Sequence, residues 1–445
     1  MPDLNQQDQN QFIIEKIKER PINRKKLLRR SLITAGLAVV FGLIACVTFL
    51  VLQPLISSFI YPEEKPQIVA FPEDEEEMSP EEMLTDIMEQ QGQQTQEPMA
   101  EKNTVTIDYE QFMGLLQGEK LDLNSYNQIY NAVEEYAWDL YRSMVTVTST
   151  SSDVDVLDNV RESTDQSFGV IIADNSVELL ILTAYDNIKE ADLLTATFRN
   201  GHSVTATVKQ YDKETNLAVL AVALSRIPQN VRDLIELAPL GSSSIEKMQG
   251  TPVIALGNIM GTGEGMGYGI IAGQSMINGQ DANYKLLMTD IYGSEHAQGV
   301  LFNMRGSIVG MICNVSTQTD MENLIVAYGI SDLRGIVEKM SNGKAITMMG
   351  ISGMDVSEDA INRHGVPKGA YVTDVTMDSP AMLAGILPGD VVVELNGQTI
   401  DSLNGYTKAL LQAEPGQSIE VMIMRQSQDE YKEMKFTIML DAREK

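Results

Sequence analysis

The sequence predicts a mostly β protein in which two folded domains follow one membrane-spanning helix. Three features lead to this prediction: an uncharged apolar run near the N-terminus, a series of short strand-like runs separated by glycine turns, and a final segment with turn signals of its own. The 445 residues suffice for about two or three domains, and a hydrophobic content of 43% can fill their cores.

Composition narrows the possible partners and excludes several classes of protein. The 33 basic and 62 acidic residues give a net charge of -29, which repels nucleic-acid phosphates, so we expect no nucleic-acid partner. Three histidines and two cysteines cannot build a zinc module or a disulfide scaffold. We therefore expect protein partners, no metal site and no cofactor.

The predicted membrane helix covers residues 31–53. No charged residue occurs between Arg30 and Glu63, and residues 32–52 are about as long as the 20 residues that cross a bilayer as helix. Residues 1–30 carry eight Lys/Arg against four acids, so this basic tail is expected in the cytoplasm and the bulk of the chain outside the cell membrane. A cleaved signal peptide is the alternative, but the apolar run exceeds the roughly 7–15 residues of a signal core.

A flexible acidic linker is predicted over residues 54–104. Residues 62–104 contain 13 Asp/Glu against two Lys and are rich in glutamine, so they can bury little apolar surface. An acidic docking site for a basic partner is the alternative. Cys46 lies in the predicted helix and Cys313 in a later strand-like run, so we expect no disulfide between them.

The first folded domain begins with a predicted helix and continues as short strands. Apolar residues recur at helical spacing from Tyr126 to Leu140, which predicts a helix that packs on a core or on another subunit. About a dozen strand-like runs follow, and Asn200-Gly201 is a hairpin signal between two of them. Many short strands with glycine turns are typical of barrels or sandwiches.

Five short motifs follow one another in the chain: residues 181–188 (ILTAYDNI), 212–220 (DKETNLAVL), 250–258 (GTPVIALGN), 289–290 with 299–303, and 305–310 (RGSIVG). Together they resemble the HtrA/DegP family of trypsin-like serine proteases. The resemblance implies two six-stranded β-barrels over residues 105–340, with a cleft between them. It also implies a possible homotrimer, for which Tyr126–Leu140 is the candidate contact.

All three positions of the family's catalytic triad differ in this chain. Asp186 stands where the family has its histidine, Asn216 where it has its aspartate, and Ala297 where it has its nucleophilic serine. Alanine has no nucleophile, and an aspartate with a pKa of about 3.9 is a poor proton shuttle at neutral pH. Glu295 replaces a glycine of the oxyanion loop and brings negative charge there. We therefore expect no proteolysis by a triad.

A relocated catalytic site is the fallback. Ser294 and His296 lie beside the former nucleophile position, and Asp186 or Asp290 could orient the imidazole. Spacing alone does not supply the geometry that defines a triad. His202 and His364 are expected in a strand end and a loop, without the companions that a metal site needs.

The segment over residues 345–442 resembles a PDZ domain of the HtrA type. The resemblance rests on Asp378-Ser379-Pro380-Ala381, Pro388-Gly389-Asp390 and Asn396-Gly397, which also mark turns on physical grounds. A PDZ domain binds an extended peptide at a sheet edge and holds its terminal carboxylate with exposed amides.

The resemblance places the peptide-binding residues as well. Met348, Met349, Gly350 and Ile351 match the loop that supplies the amides, and residues 351–356 match the receiving strand. Met349, Ile351 and Leu410 are candidate pocket residues, for which core packing is the competing interpretation. Gly350 is favoured because the loop needs a small residue there.

Taken together, the sequence predicts a membrane-anchored HtrA-like protein that is catalytically inactive. Its PDZ domain is expected to bind polypeptides or C-terminal tails, as a scaffold or regulator in envelope protein quality control. One rival is an active serine endopeptidase with a site around Ser294 and His296. Another is a purely structural envelope protein without saturable peptide binding.

Overall fold

A computed structural model describes residues 32–44, 48, 65–73, 123–154, 160–245, 248–314, 323–428 and 430–443. The chain divides into two units, Met1–Lys65 and Pro66–Lys445. In the first unit, residues 32–44 and residue 48 are helical, and apolar side chains such as Leu37 and Phe41 are exposed by 63% and 75%. Among the helices described, none combines the length and apolarity needed to cross a membrane. The predicted tail 1–30, Cys46 and part of the predicted span 31–53 lie outside the described residues.

The second unit begins with residues 66–73, which belong to the predicted linker. The N–H of Val69 donates to Asn342 Oδ1 at 2.9 Å, and the Asn342 amide returns a bond to Val69 O at 2.7 Å. The N–H of Phe71 donates to Glu338 Oε2 at 3.2 Å. This stretch is therefore bound along a neighbouring helix, and the remainder of the predicted linker, apart from Lys65, lies outside the described residues.

The first barrel is a closed ring of six strands in the order β1-β2-β3-β6-β5-β4. Its strands are β1 (Met144–Val154), β2 (Val160–Asp174), β3 (Glu178–Ala184), β4 (Leu193–Phe198), β5 (Ser203–Asp212) and β6 (Leu217–Ala223). In β3, Ile181 points into the barrel, while Leu180 and Leu182 face a core shared with the second barrel. Because successive side chains of a strand alternate between faces, β3 is buried on both.

The second barrel has the strand order β10-β11-β12-β9-β8-β7. Its strands are β7 (Pro252–Asn258), β8 (Gly265–Asn278), β9 (Asn283–Tyr292), β10 (Gln298–Asn303), β11 (Ile308–Ile312) and β12 (Leu324–Gly329). Gly257 and Gly299 face each other across β7 and β10. A Cβ on Gly299 would lie 2.1 Å from Leu256 O, so the close approach of these strands requires glycine.

Three helices accompany the barrels: α1 (Leu123–Leu140), α2 (Gln229–Arg232) and α3 (Ile330–Ser341). Short 3₁₀ turns occupy Tyr141–Ser143 and Leu224–Arg226. Helix α3 contacts strands of both barrels, and its Leu333 and Ile336 belong to the same buried cluster as Leu182 and Leu256. One buried cluster therefore joins the two barrels, and a further cluster fills the interior of each. This arrangement confirms the two six-stranded barrels that the sequence predicts.

The C-terminal domain is a β-sheet with three helices. Its elements are β13 (Thr347–Met348), β14 (Ile351–Asp355), α4 (Glu358–His364), β15 (Ala370–Val375), α5 (Pro380–Ala384), β16 (Val391–Leu395), β17 (Gln398–Thr399), α6 (Leu403–Gln412), β18 (Ser418–Ser427), β19 (Glu430–Met439) and β20 (Asp441–Ala442). The main sheet runs β14-β15-β16-β18-β19, β17 pairs with β16, and β13 pairs with β20. Strand β14 is thus one edge of the sheet and β19 is the other.

Turn chemistry in this domain follows the sequence signals. Asn396 and Gly397 have φ values of +51° and +83°, the left-handed pair that a tight hairpin needs, and they join β16 to β17. Ser379 and Ser402 accept backbone N–H bonds at the starts of α5 and α6.

The predicted helix over 126–140 and the predicted Asn200-Gly201 hairpin are confirmed by α1 and by the β4–β5 connection.

Candidate functional site

The cleft between the barrels contains the three positions that resemble a catalytic triad. Asp186 follows β3, Asn216 precedes β6, and Ala297 precedes β10. Strand β3 pairs with β6 so that Ala184 faces Leu217, which brings the first two positions to the same barrel end. All three positions line one cavity of about 200 Å³.

The contacts of Asp186 and Asn216 serve the local backbone. Asn216 Oδ1 accepts the N–H of Asp186 at 2.8 Å, and Asn216 O accepts the N–H of Tyr185 at 3.0 Å. The carboxylate of Asp186 is exposed and accepts a bond from Lys189 Nζ at 3.0 Å. Asn216 therefore caps the turn after β3 and does not orient a general base.

Ala297 places a methyl group at the third position. The residue is buried, and its N–H donates to Ser294 O at 3.0 Å. An oxyanion site needs backbone N–H groups that point at the reacting oxygen. The N–H of Ala297 is already bound to a carbonyl within its own loop.

The described contacts of the fallback pair do not join the Ser294 hydroxyl to the His296 imidazole. Ser294 Oγ accepts the backbone N–H of His296 at 3.1 Å. The imidazole of His296 is 80% exposed, and its Nε2 lies 3.3 Å from Glu295 Oε1. The side chains of Ser294 and His296 are thus engaged with different partners.

A second polar site lies in the loop between β13 and β14. Gly350 has a φ of +91°, and a Cβ there would lie 2.3 Å from the Cβ of Ser379. A side chain at this position would be excluded both by conformation and by space. The loop therefore keeps the N–H groups of residues 349–351 turned toward one point.

That point is occupied by the carboxylate of Asp281, at the tip of the β8–β9 hairpin. Asp281 Oδ2 accepts the N–H of Met349 at 2.9 Å and that of Gly350 at 2.8 Å. Asp281 Oδ1 accepts the N–H of Gly350 at 3.0 Å and that of Ile351 at 3.1 Å. Tyr406 of α6 adds an O–H donor to Oδ1 at 2.6 Å. With 1% of its surface exposed, Asp281 is a buried carboxylate with several charge-assisted hydrogen bonds.

The predicted peptide-binding residues divide into two groups. The amides of Met349, Gly350 and Ile351 converge on a carboxylate, whereas Met348 pairs with Asp441 between β13 and β20. The side chains of Met349, Ile351 and Leu410 belong to the buried core of the C-terminal domain. The core-packing interpretation accounts for these three side chains.

Sequence reasoning missed Asp281 and Tyr406. Asp281 lies 68 to 70 positions from the amides that it binds and 125 positions from Tyr406. A local pattern cannot reveal such a pair. Burial raises the pKa of Tyr406, and the neighbouring Asp281 raises it further, so the phenol stays protonated and able to donate.

A charge cluster lies beside the hairpin tip. Arg443 NH1 is 2.9 Å from Glu214 Oε2 and 3.3 Å from Asp212 Oδ2, and Glu214 Oε1 accepts the N–H of Gln280. Burial raises the pKa of the Glu214 carboxyl to about 7; Arg443 and the Gln280 N–H oppose this shift, while Asp212 and Asp281 add to it.

The comparisons with known proteins agree with both domains. Residues 168–311 match the family model "Trypsin-like peptidase domain", and residues 347–436 match "PDZ domain". A "Serine protease Do-like HtrB" of Bacillus subtilis is 31% identical over 253 residues, which cover 53% of this chain and 54% of that protein. A "Probable periplasmic serine endoprotease DegP-like" of Halomonas elongata is 26% identical over 263 residues, covering 58% and 53% respectively. The chain therefore spans about half the length of these relatives.

One solved structure, "HtrA-type protease AlgW with decapeptide", covers 70% of this chain and 99% of its own, with 20% identity and a TM-score of 0.49. The two barrels and the domain after them define a trypsin-like peptidase domain followed by a PDZ domain. In both domains and in their order, the chain is similar to HtrA-like proteins that carry a C-terminal PDZ domain.

Tyr406→Phe is expected to weaken the Asp281 site without changing the shape of the core. Hydrogen bonds to charged groups contribute about 1.5–3 kcal/mol, so we expect a loss of that size in the free energy of unfolding by urea. Tyr431→Phe on β19, at the other sheet edge, is the control and should change stability little. In a double-mutant cycle with Asp281→Asn, additive effects would contradict the contact.

Glu214→Gln is expected to remove a pH dependence of stability. Because the folded chain holds this proton more tightly than the unfolded chain, the free energy of unfolding should fall as pH rises from about 4.5 to 7. Glu214 accounts for a fall of about 3 kcal/mol at most. Above pH 7 its contribution should change no further, so the free energy of unfolding should stay at the lower value. Urea unfolding at pH 5, 6, 7 and 8 measures it.

The control for this experiment is Glu433→Gln, which neutralises an exposed acid on β19. It should leave the pH profile of the parent chain unchanged. An equally steep profile in Glu214→Gln would show that another group titrates.

Proposed function

We propose that this protein is a catalytically inactive HtrA-like protein that binds polypeptide C-termini through its PDZ domain. The observation that carries the proposal is the alanine methyl group at the nucleophile position, Ala297. Acyl transfer by a triad needs a hydroxyl or thiol, a base near neutral pKa and donors for the oxyanion. Asp186 and Asn216 supply no imidazole, and the N–H of Ala297 is bound to Ser294 O.

The contacts in the nucleophile loop argue against a relocated peptidase site. A general base must lie within hydrogen-bond reach of the proton that it removes. The described contact between Ser294 and His296 joins the hydroxyl to a backbone N–H, and the imidazole lies beside Glu295. This arrangement favours the inactive protein over the alternative endopeptidase.

The PDZ domain supplies the features that a C-terminal peptide needs. Three backbone N–H groups and the hydroxyl of Tyr406 converge where a carboxylate is bound. Strand β14 beside them is an edge of the sheet, to which a peptide strand can be added. A protein that keeps this site and lacks a nucleophile is suited to act as a scaffold or regulator in envelope protein quality control.

Membrane anchoring through residues 31–53 is part of the proposal. The described helical residues 32–44 present an apolar surface, with Leu32, Leu37 and Phe41 exposed by 66%, 63% and 75%. Such a surface needs an apolar environment. The basic residues before it favour a cytoplasmic N-terminus, and the relative from Halomonas elongata is described as periplasmic.

The proposal also includes assembly as a homotrimer through α1. Tyr126, Ile129 and Tyr130 on this helix are each about half exposed. Exposed aromatic side chains of this kind are enriched at subunit contacts.

The full-length chain is expected to remain unlabelled by a fluorophosphonate probe and to leave unfolded casein intact. The reason is the absence of an activated hydroxyl at residue 297. Gel fluorescence and mass spectrometry measure labelling and cleavage. An active trypsin treated in parallel verifies the probe.

Labelling that disappears in Ser294→Ala or His296→Ala would establish the alternative endopeptidase. Both variants should otherwise behave as the parent chain does. Cleavage that survives in both variants would point to a contaminating protease.

Charge placed in the apolar helix is expected to release the protein from membranes. A lysine at the centre of a spanning helix costs about 2.5–3.5 kcal/mol on insertion scales. In cells, Val39→Lys combined with Phe41→Lys should move the chain from the carbonate-washed membrane pellet to the supernatant. Val39→Leu with Phe41→Leu is the matched control and should stay in the pellet. A parent chain found in the supernatant would exclude the anchor.

A further inference from the structure

We propose that Asp281 is an internal ligand of the PDZ domain, so that an external C-terminal peptide binds only when the β8–β9 hairpin tip leaves the site. This inference rests on the proposed function, because it concerns the same carboxylate-binding loop. The internal ligand comprises residues 279–283, with Asp281 at their centre.

Besides its carboxylate, the internal ligand offers one main-chain and one side-chain N–H donor to the backbone of the edge strand. The N–H of Asp281 donates to Ile351 O at 2.7 Å, and Asn283 Nδ2 donates to Gly353 O at 3.2 Å. These two carbonyls are alternate acceptors on the edge strand β14. A peptide added to a sheet edge uses acceptors with this spacing.

Helix α6 holds the internal ligand from the opposite side. Thr407 Oγ1 donates to Asp281 O at 2.7 Å, and Tyr406 donates to the carboxylate. The loop, the strand edge and the helix are the three parts of a PDZ groove that meet a peptide terminus. Asp281 contacts all three, so an external carboxylate and Asp281 cannot occupy the loop together.

The backbone at Asp281 indicates that the side chain is held there by its contacts. Its φ is +61°, in the left-handed region that favours glycine. If this residue served only to close the turn, glycine would adopt the conformation with less strain. A carboxylate at a hairpin tip would avoid the cost of desolvation by facing water. Asp281 does neither, since it lies buried among donors of the PDZ domain.

Neighbouring residues stabilise the hairpin tip in the docked position. Arg443 NH2 donates to Gln280 O at 2.8 Å, and Glu214 accepts the N–H of Gln280. Docking is intramolecular, so it has the advantage of a high effective concentration over any free peptide. The apparent affinity of an external peptide is reduced by the fraction of molecules in which the site is open.

The test compares peptide binding by the full-length chain and its Asp281→Ala, Asp281→Asn and Glu433→Gln variants. The probe is a fluorescein-labelled heptapeptide pool, randomised at its last four positions, with a free α-carboxylate; the same pool with an amidated end is the control probe. We expect Asp281→Ala to bind the free pool at least about tenfold more tightly than the parent, since several charge-assisted hydrogen bonds must otherwise be displaced. Glu433→Gln should match the parent, and the amidated pool should bind to none.

The outcomes separate this inference from the proposed function. Equal binding by the parent and both Asp281 variants would overturn the internal ligand and leave C-terminal recognition standing. No binding of the free pool by any variant would overturn C-terminal recognition itself, and with it this inference. Equal binding of the amidated and free pools would also overturn C-terminal recognition, because the α-carboxylate would then not be recognised.

Hydrogen exchange supplies a measurement that needs no peptide. The amides of Met349, Gly350 and Ile351 should exchange at least about tenfold faster in Asp281→Ala than in the parent, while the β16 and β18 amides stay protected. Asp281→Asn is the second variant, in case Asp281→Ala does not fold. It keeps the size of the side chain but turns an amide group toward donors, so the exchange rates at residues 349–351 should rise in the same way. Unchanged protection at residues 349–351 in a folded variant would overturn the proposal.

Discussion

The carboxylate of Asp281 is the charge on which the join between the second barrel and the PDZ domain depends. A buried carboxylate is costly unless each of its oxygens is hydrogen-bonded, and here three amides and one hydroxyl meet that need. All four donors belong to the PDZ domain, whereas Asp281 belongs to the β8–β9 hairpin. Removing either side would leave buried polar groups unpaired, so the contact is made completely or not at all.

In the second polar junction, as in the first, the carboxylates belong to a barrel and the donor belongs to the PDZ domain. Arg443, from the end of the PDZ domain, enters a cluster formed by Asp212 and Glu214 of the first barrel. Burial raises the pKa of the Glu214 carboxyl, and the neighbouring acids Asp212 and Asp281 raise it further, while Arg443 opposes them. The strength of a contact between charged groups depends on pH and on competing ions, whereas that of an apolar contact does not.

Most of the fold follows from local patterns, while the occupied site does not. Alternating apolar runs, the Asn396-Gly397 turn and the loop glycine Gly350 each carry their structural reason in the residues themselves, and the structure places them as expected. Gly279 to Asn283 has the composition of an ordinary hairpin tip, and only the three-dimensional fold brings Asp281 to its donors. For Met349 and Leu410, apolar character fits a groove and a core equally well, and only burial distinguishes the two.

The cleft between the barrels and the carboxylate-binding loop of the PDZ domain differ in what their polar groups do. At the cleft, side chains that could run acyl transfer are replaced by groups that bond to the local backbone, as Asn216 does with Asp186. At the PDZ loop, the donors are complete and engaged, so the binding chemistry is intact but restrained by competition. A site of this kind responds to a ligand by an equilibrium between two occupants, and it selects tails whose affinity exceeds the cost of undocking the hairpin. If the proposed function holds, weak and abundant peptides would be rejected without any need for a narrow pocket, because only a tightly bound tail could displace the hairpin.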